Sequence, residues 1–209
     1  MKDSIESIIF DLDGTLWDST ATIAAAWQEA VDQLDYVDRD ITAEDVRGIA
    51  GMQYDAIYDK LFPSLKGKER EQLQKLCAKL ELELLHERGG KLYPELEPTL
   101  KYLKEKYKLA IVSNCQSGYI EAFLKRHDLQ PYFTDHECYG SRNLPKADNI
   151  CEVIKRNNVQ QAVYIGDTSG DFEASQKAQV PFILAAYGFG EVDAEVERIE
   201  KFSDLKRLF

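Results

Sequence analysis

The feature that most constrains this chain is a set of short apolar runs that each stop at polar residues. Three of the runs cover residues 8–10, 109–112 and 162–165, and a fourth covers 181–185. A short apolar run bounded by polar and glycine residues is typical of a buried strand. Because helical spacing of apolar residues separates the later runs, strands and helices alternate. This pattern predicts an α/β fold with a Rossmann-like parallel sheet.

A block of helical pattern separates the first run from the others. Apolar residues recur at helical spacing from about residue 19, where Ser19 or Thr20 suits the start of a helix. Further along, Thr42 to Asp45 resembles a variant capping box, and Pro63 ends another helix. The first strand precedes this block and the others follow it, so we expect an inserted all-helical cap domain. The predicted boundaries are 17–89 for the cap and 1–16 with 90–209 for the α/β core.

The formal charge of −11 at pH 7 limits the partners of this protein. It would repel nucleic acid and anionic lipid surfaces, and no basic block offsets it. No apolar run is long enough to span a bilayer, and the N-terminus lacks the pattern of a signal peptide. The four cysteines stand far apart, without the spacing of a metal site, which favours reduced thiols. We therefore expect a cytoplasmic monomer or weak homodimer that binds neither nucleic acid nor membrane.

The polar clusters at the predicted strand ends are rich in aspartate. The carboxyl ends of parallel strands share one edge of a sheet, where ligands bind. Four carboxylates would converge at this edge: Asp11, Asp13, Asp167 and Asp171. They would repel one another unless a hard cation with oxygen ligands neutralised them, which predicts Mg²⁺. The alternative is that these aspartates only end strands and cap helices, as Asp often does.

Asp11 and Asp13 are two residues apart, so their side chains point the same way if the chain stays extended. This spacing suits two cooperating roles on one substrate. One carboxylate would attack as a nucleophile, and the other would give a proton to the leaving oxygen and later activate water. Gly14 would let the backbone turn sharply after them.

Four motifs in this order resemble those of the haloacid-dehalogenase-like hydrolase superfamily. They are Asp11-Leu12-Asp13-Gly14-Thr15, Ser113-Asn114, Lys146, and Gly166-Asp167 followed by Asp171. The resemblance spans nearly the whole chain. It is strongest to members similar to phosphoglycolate phosphatases and β-phosphoglucomutases, which carry a helical cap directly after the first motif. It implies a phosphatase that hydrolyses a small phosphorylated metabolite through an aspartyl-phosphate intermediate.

The resemblance also implies a role for each acidic residue. Asp11 would be the nucleophile and a metal ligand. Asp13 would be the general acid and base, with its backbone carbonyl on the metal. Asp167 would be the other protein ligand of Mg²⁺, and Asp171 would orient the groups around the metal.

Other residues would bind the phosphoryl group or the rest of the substrate. By the resemblance, Ser113 and the backbone N–H groups of Leu12 and Asn114 would bind phosphoryl oxygens, and Lys146 would offset negative charge. The sequence departs from the family pattern after Lys146, where Ala147 stands in place of the usual proline. Arg47 lies where a specificity loop of the cap is expected and would contact the substrate. An exposed, solvated arginine is the alternative.

Three other functions share parts of this pattern. A phospho-accepting receiver places its acceptor aspartate on a later strand than its acidic pair and lacks a long helical insertion. A carbon–halogen hydrolase of the same superfamily lacks the second aspartate, so Asp13 favours phosphoryl chemistry. A phosphosugar mutase is the main alternative, since it would use the same core. The end of the first motif, Gly14-Thr15, resembles the phosphatases more.

Overall fold

The structure, a computed structural model, describes residues 4–52 and 54–209. Its strands are β1 (Ser7–Phe10), β2 (Trp17–Asp18), β3 (Lys91–Leu92), β4 (Lys108–Ser113), β5 (Asp135–Cys138), β6 (Ala162–Gly166), β7 (Phe182–Ala185) and β8 (Glu197–Ile199). Six of them form one sheet in the order β5-β4-β1-β6-β7-β8, and every neighbouring pair is parallel. The predicted parallel α/β fold is confirmed.

Helices cover both faces of this sheet. They are α1 (Thr20–Asp32), α2 (Ala43–Arg47), α3 (Tyr54–Leu61), α4 (Gly67–Glu87), α5 (Leu96–Lys104), α6 (Tyr119–Arg126), α7 (Tyr139–Arg142), α8 (Lys146–Arg156), α9 (Ser169–Lys177) and α10 (Leu205–Leu208). Within the described ranges, no helix combines the length and apolar character needed to cross a bilayer.

Strand β1 lies in the middle of the sheet and shows why the apolar runs are continuous. Ile8 and Phe10 belong to the apolar cluster on one face, and Ile9 belongs to the cluster on the other face. All three side chains are fully buried. A strand covered on both faces needs apolar residues at every position, which a parallel sheet with helices on each side provides.

Helices α1 to α4 form one continuous segment between β2 and β3. These two short strands pair antiparallel, with Trp17 opposite Leu92, and bring the two ends of the segment together. Helix α1 packs along α4, and the Trp27 ring stacks on Tyr58 of α3 at 5.7 Å. The division into a cap of 17–89 and a separate core stays a prediction.

Several local features differ from the expectations or lie outside them. Ser19 precedes α1, but its hydroxyl makes no capping bond and donates to Asp13 instead. At the start of α1, the Asp18 side chain instead accepts a hydrogen bond from the backbone N–H of Thr20. The capping box at Thr42 is confirmed, with Thr42 and Asp45 bonded reciprocally. The edge strands β5 and β8 were not expected from the sequence.

Candidate active site

The candidate site lies at the carboxyl edge of the three central strands. Asp11 follows β1 directly, Ser113 is the last residue of β4, and Asp167 follows β6. Because β4, β1 and β6 are neighbours and parallel, their ends meet at the same edge. The backbone N–H of Asp11 still donates to the Ile165 carbonyl at 2.8 Å, which extends the sheet pairing to Asp11 itself.

A buried lysine joins two of the carboxylates. Lys146 opens α8, and its Nζ donates to Asp11 Oδ1 at 2.8 Å and to Asp171 Oδ1 at 2.6 Å. The lysine is only 5% exposed, and the two aspartates are equally buried or more so. Although burial disfavours the charged form, the Asp11 and Asp171 charges raise the pKa of Lys146. The lysine is therefore a fixed positive charge beside Asp11, although proline does not follow it.

The first turn of α9 fixes Asp171. Thr168 and Asp171 form a capping box, in which Asp171 Oδ2 accepts from Thr168 N at 3.0 Å and from Thr168 Oγ1 at 2.7 Å. Both Asp171 oxygens are thus engaged, one by Lys146 and one by the helix start. Although burial acts in the opposite direction, Lys146 and Thr168 lower the pKa of Asp171. Asp171 is suited to position Lys146 and its neighbours.

Asp167 is held by the loop after β1 and by a later loop. Its Oδ1 accepts from the Thr15 hydroxyl at 3.2 Å, and its Oδ2 accepts from the backbone N–H of Phe189 at 2.8 Å. Gly14 has φ of +84°, and a Cβ there would lie 2.1 Å from Asp167 Oδ2. Only glycine permits both this backbone conformation and this close approach.

Asp13 is fixed through one oxygen. Its Oδ1 accepts from Trp17 Nε1 at 2.8 Å, from the Tyr119 hydroxyl at 2.8 Å and from the Ser19 hydroxyl. Burial raises the pKa of Asp13 even though these donors oppose the shift. The three bonds leave Oδ2 as the oxygen on which a transferable proton can sit.

The remaining carboxylates show the electrostatic strain that the sequence predicts. Burial, followed by the charge of Asp171, raises the pKa of Asp11 to about 7. The same two causes raise the pKa of Asp167 well above its usual range. Single oxygens of Asp11, Asp167 and Asp171 lie within 4.8 Å of one another. Oxygen ligands at this spacing fit a hard divalent cation, which would stabilise the charged carboxylates.

A small cavity adjoins Asp11 and Asp13. Its volume is about 100 Å³, and its floor includes Asp11, Asp13, Ser113, Asn114 and Lys146. Its roof comes from α1, α2, α3, α4 and the loop at 49–52. The Asn114 side chain donates to the Gly51 carbonyl at 3.1 Å and so ties the sheet edge to this loop.

The structure brings together nearly all the predicted site residues, with one exception. Leu12 lies between Asp11 and Asp13, and its side chain is fully buried. Arg47 is outside the lining of the cavity: its guanidinium pairs with Asp18 at 3.3 Å and lies over the Phe189 ring at 5.5 Å. Contact between Arg47 and a substrate stays a prediction.

Sequence reasoning missed a polar group in the roof of the cavity. Glu81 of α4 lines the cavity at 8% exposure and accepts hydrogen bonds from Trp27 and Gln116. The helical spacing of α4 does indicate that Glu81 lies on the buried face. Glu81 follows Cys77 by four residues and precedes Leu85 by four, so it falls on the buried face of α4.

Comparisons with known proteins agree with this geometry. The haloacid dehalogenase-like hydrolase family model matches residues 8–185. The phosphoglycolate phosphatase of Aquifex aeolicus (strain VF5) is 31% identical over 211 residues, covering 96% of this chain and 95% of that protein. The phosphoglycolate phosphatase of Vibrio parahaemolyticus is 28% identical over 206 residues, covering 90% and 86%. A solved haloacid dehalogenase-like hydrolase from Streptococcus pneumoniae has the same fold, with a TM-score of 0.83, 22% identity and coverage of 99% and 100%.

The parallel sheet and the aspartates at its carboxyl edge define a class of hydrolases with a Rossmann-like core. The family match and the Aquifex relative narrow this class: the chain belongs to the haloacid dehalogenase-like hydrolase family. Its relatives identify it as a phosphatase and do not favour the phosphosugar mutase. Phosphatases of this family generally use a divalent metal, and the buried aspartate cluster is consistent with one.

Proposed function

We propose that the chain is a Mg²⁺-dependent phosphatase that hydrolyses a small phosphorylated metabolite through an aspartyl phosphate on Asp11. The observation that carries this proposal is the buried Lys146, whose Nζ lies 2.8 Å from Asp11 Oδ1 in the same cavity as Asp13. The proposal includes a core of 1–16 and 90–209 with a cap of 17–89. We also propose that the protein is cytoplasmic and is a monomer or weak homodimer.

In the first step, Asp11 attacks the phosphorus of the bound ester. Lys146 orients the Asp11 carboxylate and offsets the charge on the transferring group. Ser113 and the backbone N–H groups of Leu12 and Asn114 bind the phosphoryl oxygens. The bond between phosphorus and the leaving oxygen breaks, and Asp13 gives its proton from Oδ2 to that oxygen.

In the second step, water hydrolyses the aspartyl phosphate. Asp13, now a carboxylate, takes a proton from the attacking water. The bond between Asp11 and phosphorus breaks, which releases inorganic phosphate and restores the Asp11 carboxylate. Trp17, Ser19 and Tyr119 keep Asp13 in place for both proton transfers, because all three donate to its other oxygen.

The carboxylates of Asp11 and Asp167 and the backbone carbonyl of Asp13 would hold Mg²⁺, with Asp171 beside them, and the ion would neutralise charge on the phosphoryl group. We expect chelation to abolish phosphate release, Mg²⁺ to restore it, and Ca²⁺ to substitute poorly because its coordination is larger and more flexible. Full activity in chelator without added metal would exclude this requirement.

The nucleophile is tested by Asp11→Asn. The exchange is nearly isosteric and relieves repulsion in the cluster, so the variant should fold but release no phosphate beyond background. The measurement is phosphate release from p-nitrophenyl phosphate, with the melting temperature as a check of folding. Asp193→Asn, at an exposed position, is the matched control and should keep wild-type rates. Substantial turnover by Asp11→Asn would refute the covalent mechanism.

The acid role of Asp13 is tested by Asp13→Asn, which keeps an acceptor for Trp17, Ser19 and Tyr119. Alkyl phosphates should slow by about two to four powers of ten, the usual value of general acid–base catalysis. p-Nitrophenyl phosphate should slow much less in the first step, since its leaving group departs without a proton. Burst kinetics separate this step from the second. Equal loss of burst rate on both esters would remove Asp13 from the acid role.

A further inference from the structure

The cavity above Asp11 and Asp13 has two kinds of wall. Most of its roof is apolar and comes from Ile23, Trp27, Ile49, Met52 and Ile57. One position in the roof is charged, at Glu81 of α4. A phosphate ester bound at Asp11 must place its leaving group against this roof, since the phosphoryl group occupies the floor.

The Glu81 carboxylate is held by two hydrogen bonds and still has acceptor positions free. Its Oε2 accepts from Trp27 Nε1 at 2.7 Å, and its Oε1 accepts from Gln116 Nε2 at 2.8 Å. A carboxylate offers about four lone-pair positions, so two stay free for a ligand that donates a hydrogen bond. Because Trp27 of α1 and Gln116 of the loop after β4 hold both oxygens, Glu81 presents a preorganised acceptor to the cavity.

The charge around this cavity opposes a second anion. Among the described residues that line it, Lys146 is the only lysine or arginine, and two carboxylates already engage its ammonium. Arg47 lies outside the lining and pairs with Asp18. A carboxylate on the leaving group would therefore meet the Glu81 carboxylate without a side-chain cation to offset the repulsion, which weakens binding of that ester.

We propose that Glu81 makes the enzyme select phosphate monoesters whose leaving group carries a hydrogen-bond donor and no negative charge. 2-Phosphoglycolate, the ester that the names of the relatives indicate, is then a poor substrate for this chain. The proposal rests on the proposed phosphatase function and assigns the specificity of the same site.

Three esters of nearly equal size test the proposal. 2-Phosphoglycolate, 2-hydroxyethyl phosphate and phosphoethanolamine each carry two carbons on the ester oxygen and end in a carboxylate, a hydroxyl and an ammonium group, respectively. The measurement is kcat/KM for phosphate release by the Mg²⁺-loaded enzyme at pH 8. Burial raises the pKa of Glu81 to about 7, so its carboxyl is mostly ionised at that pH. We expect the carboxylate ester to be at least about tenfold poorer than the other two.

The variant Glu81→Gln removes the charge but keeps one acceptor and a similar shape. We expect the ratio of kcat/KM for 2-phosphoglycolate to that for 2-hydroxyethyl phosphate to rise by about tenfold. The ratio of kcat/KM for phosphoethanolamine to that for 2-hydroxyethyl phosphate should fall. These ratios do not depend on the fraction of folded enzyme, so partial unfolding of the variant does not affect them. Glu83→Gln, two residues away at an exposed position of α4, is the matched control and should leave both ratios unchanged.

The outcomes separate this proposal from the proposed function. If p-nitrophenyl phosphate and all three esters resist hydrolysis, the phosphatase proposal fails, and with it the specificity that rests on it. If the wild type prefers 2-phosphoglycolate, the phosphatase proposal stands and the role of Glu81 is refuted. A loss of that preference in Arg47→Ala would then show that Arg47 binds the carboxylate. Unchanged ratios in Glu81→Gln would also overturn the proposal.

Discussion

At the scale of single residues, Glu81 combines a charge with deep burial. Its two hydrogen-bond donors stabilise the ionised form, but burial outweighs them and raises the pKa of Glu81 from 4.5 to about 7. The nearby Asp13 charge acts in the same direction as burial. The carboxyl group therefore prefers to be protonated in the folded protein more than in the unfolded chain.

This preference predicts a pH-dependent stability. A raised pKa in the folded state contributes stability that is complete below pH 4.5 and is lost as the pH rises through about 7. Relative to Glu81→Gln, the wild type should lose on the order of 3 kcal/mol of unfolding free energy across this window. Urea denaturation of both proteins from pH 4.5 to 8 measures the difference. A difference that does not change with pH would contradict the prediction, and Glu83→Gln should track the wild type.

At the scale of elements, an ion-pair cluster joins the edge strand β5 to α8. Its sequence, Asp135-His136-Glu137-Cys138, has only one apolar residue, Cys138, and so lacks the apolar run that usually marks a strand. Arg156 of α8 donates from Nη2 to Asp135 Oδ1 at 2.7 Å and from Nη1 to Glu137 Oε2 at 2.6 Å. The planar guanidinium reaches both carboxylates at once, which fixes the strand against the helix.

Arg156→Lys should therefore cost stability although it keeps the charge. A lysine ammonium cannot reproduce these separate, fixed bonds, and Glu137 at 5% exposure would lose the ion pair that offsets its buried charge. We expect a loss of about 1 to 3 kcal/mol in urea denaturation. Arg142→Lys, which alters an exposed pair with Glu152, should change stability by less than about 0.5 kcal/mol. Equal losses of unfolding free energy for the two substitutions would show that the cluster at β5 contributes no more stability than an exposed ion pair.

At the scale of the whole molecule, the enzyme is strongly anionic and concentrates several carboxylates at one sheet edge. The net charge is −11, and the mutual repulsion of Asp11, Asp167 and Asp171 opposes folding. A cation that binds only the folded cluster stabilises the protein by mass action.

Mg²⁺ should accordingly raise the melting temperature. At about 100 times its Kd the expected gain is about 2.7 kcal/mol, which corresponds to several degrees for a chain of this size. The control is NaCl at equal ionic strength, since screening alone also relieves the net charge. Asp167→Asn should abolish the specific gain and raise the melting temperature measured in chelator. A gain from Mg²⁺ that matches NaCl would argue against a site in the cluster.

The sequence by itself determined the central strands and the residues at their ends. Strands β1, β4 and β6 are buried on both faces, so their apolar runs are long enough to recognise and stop where the chain reaches the polar edge. The topology of parallel strands then requires that Asp11, Ser113 and Asp167 meet. Local sequence also determined the capping box of α2, because its bonds join residues three apart.

Only the tertiary structure decided which polar side chains pair across the fold. Arg156 neutralises two acids of β5, and Lys146 reaches Asp11 across 135 positions of the chain. Glu81 is tolerated on a buried helix face because Trp27 and Gln116, from distant segments, supply its hydrogen bonds. The physical reason is common to all three. A charge can be buried only with partners that the folded chain brings within hydrogen-bond distance. Apolar periodicity, in contrast, can be read from residues that are close together in the sequence.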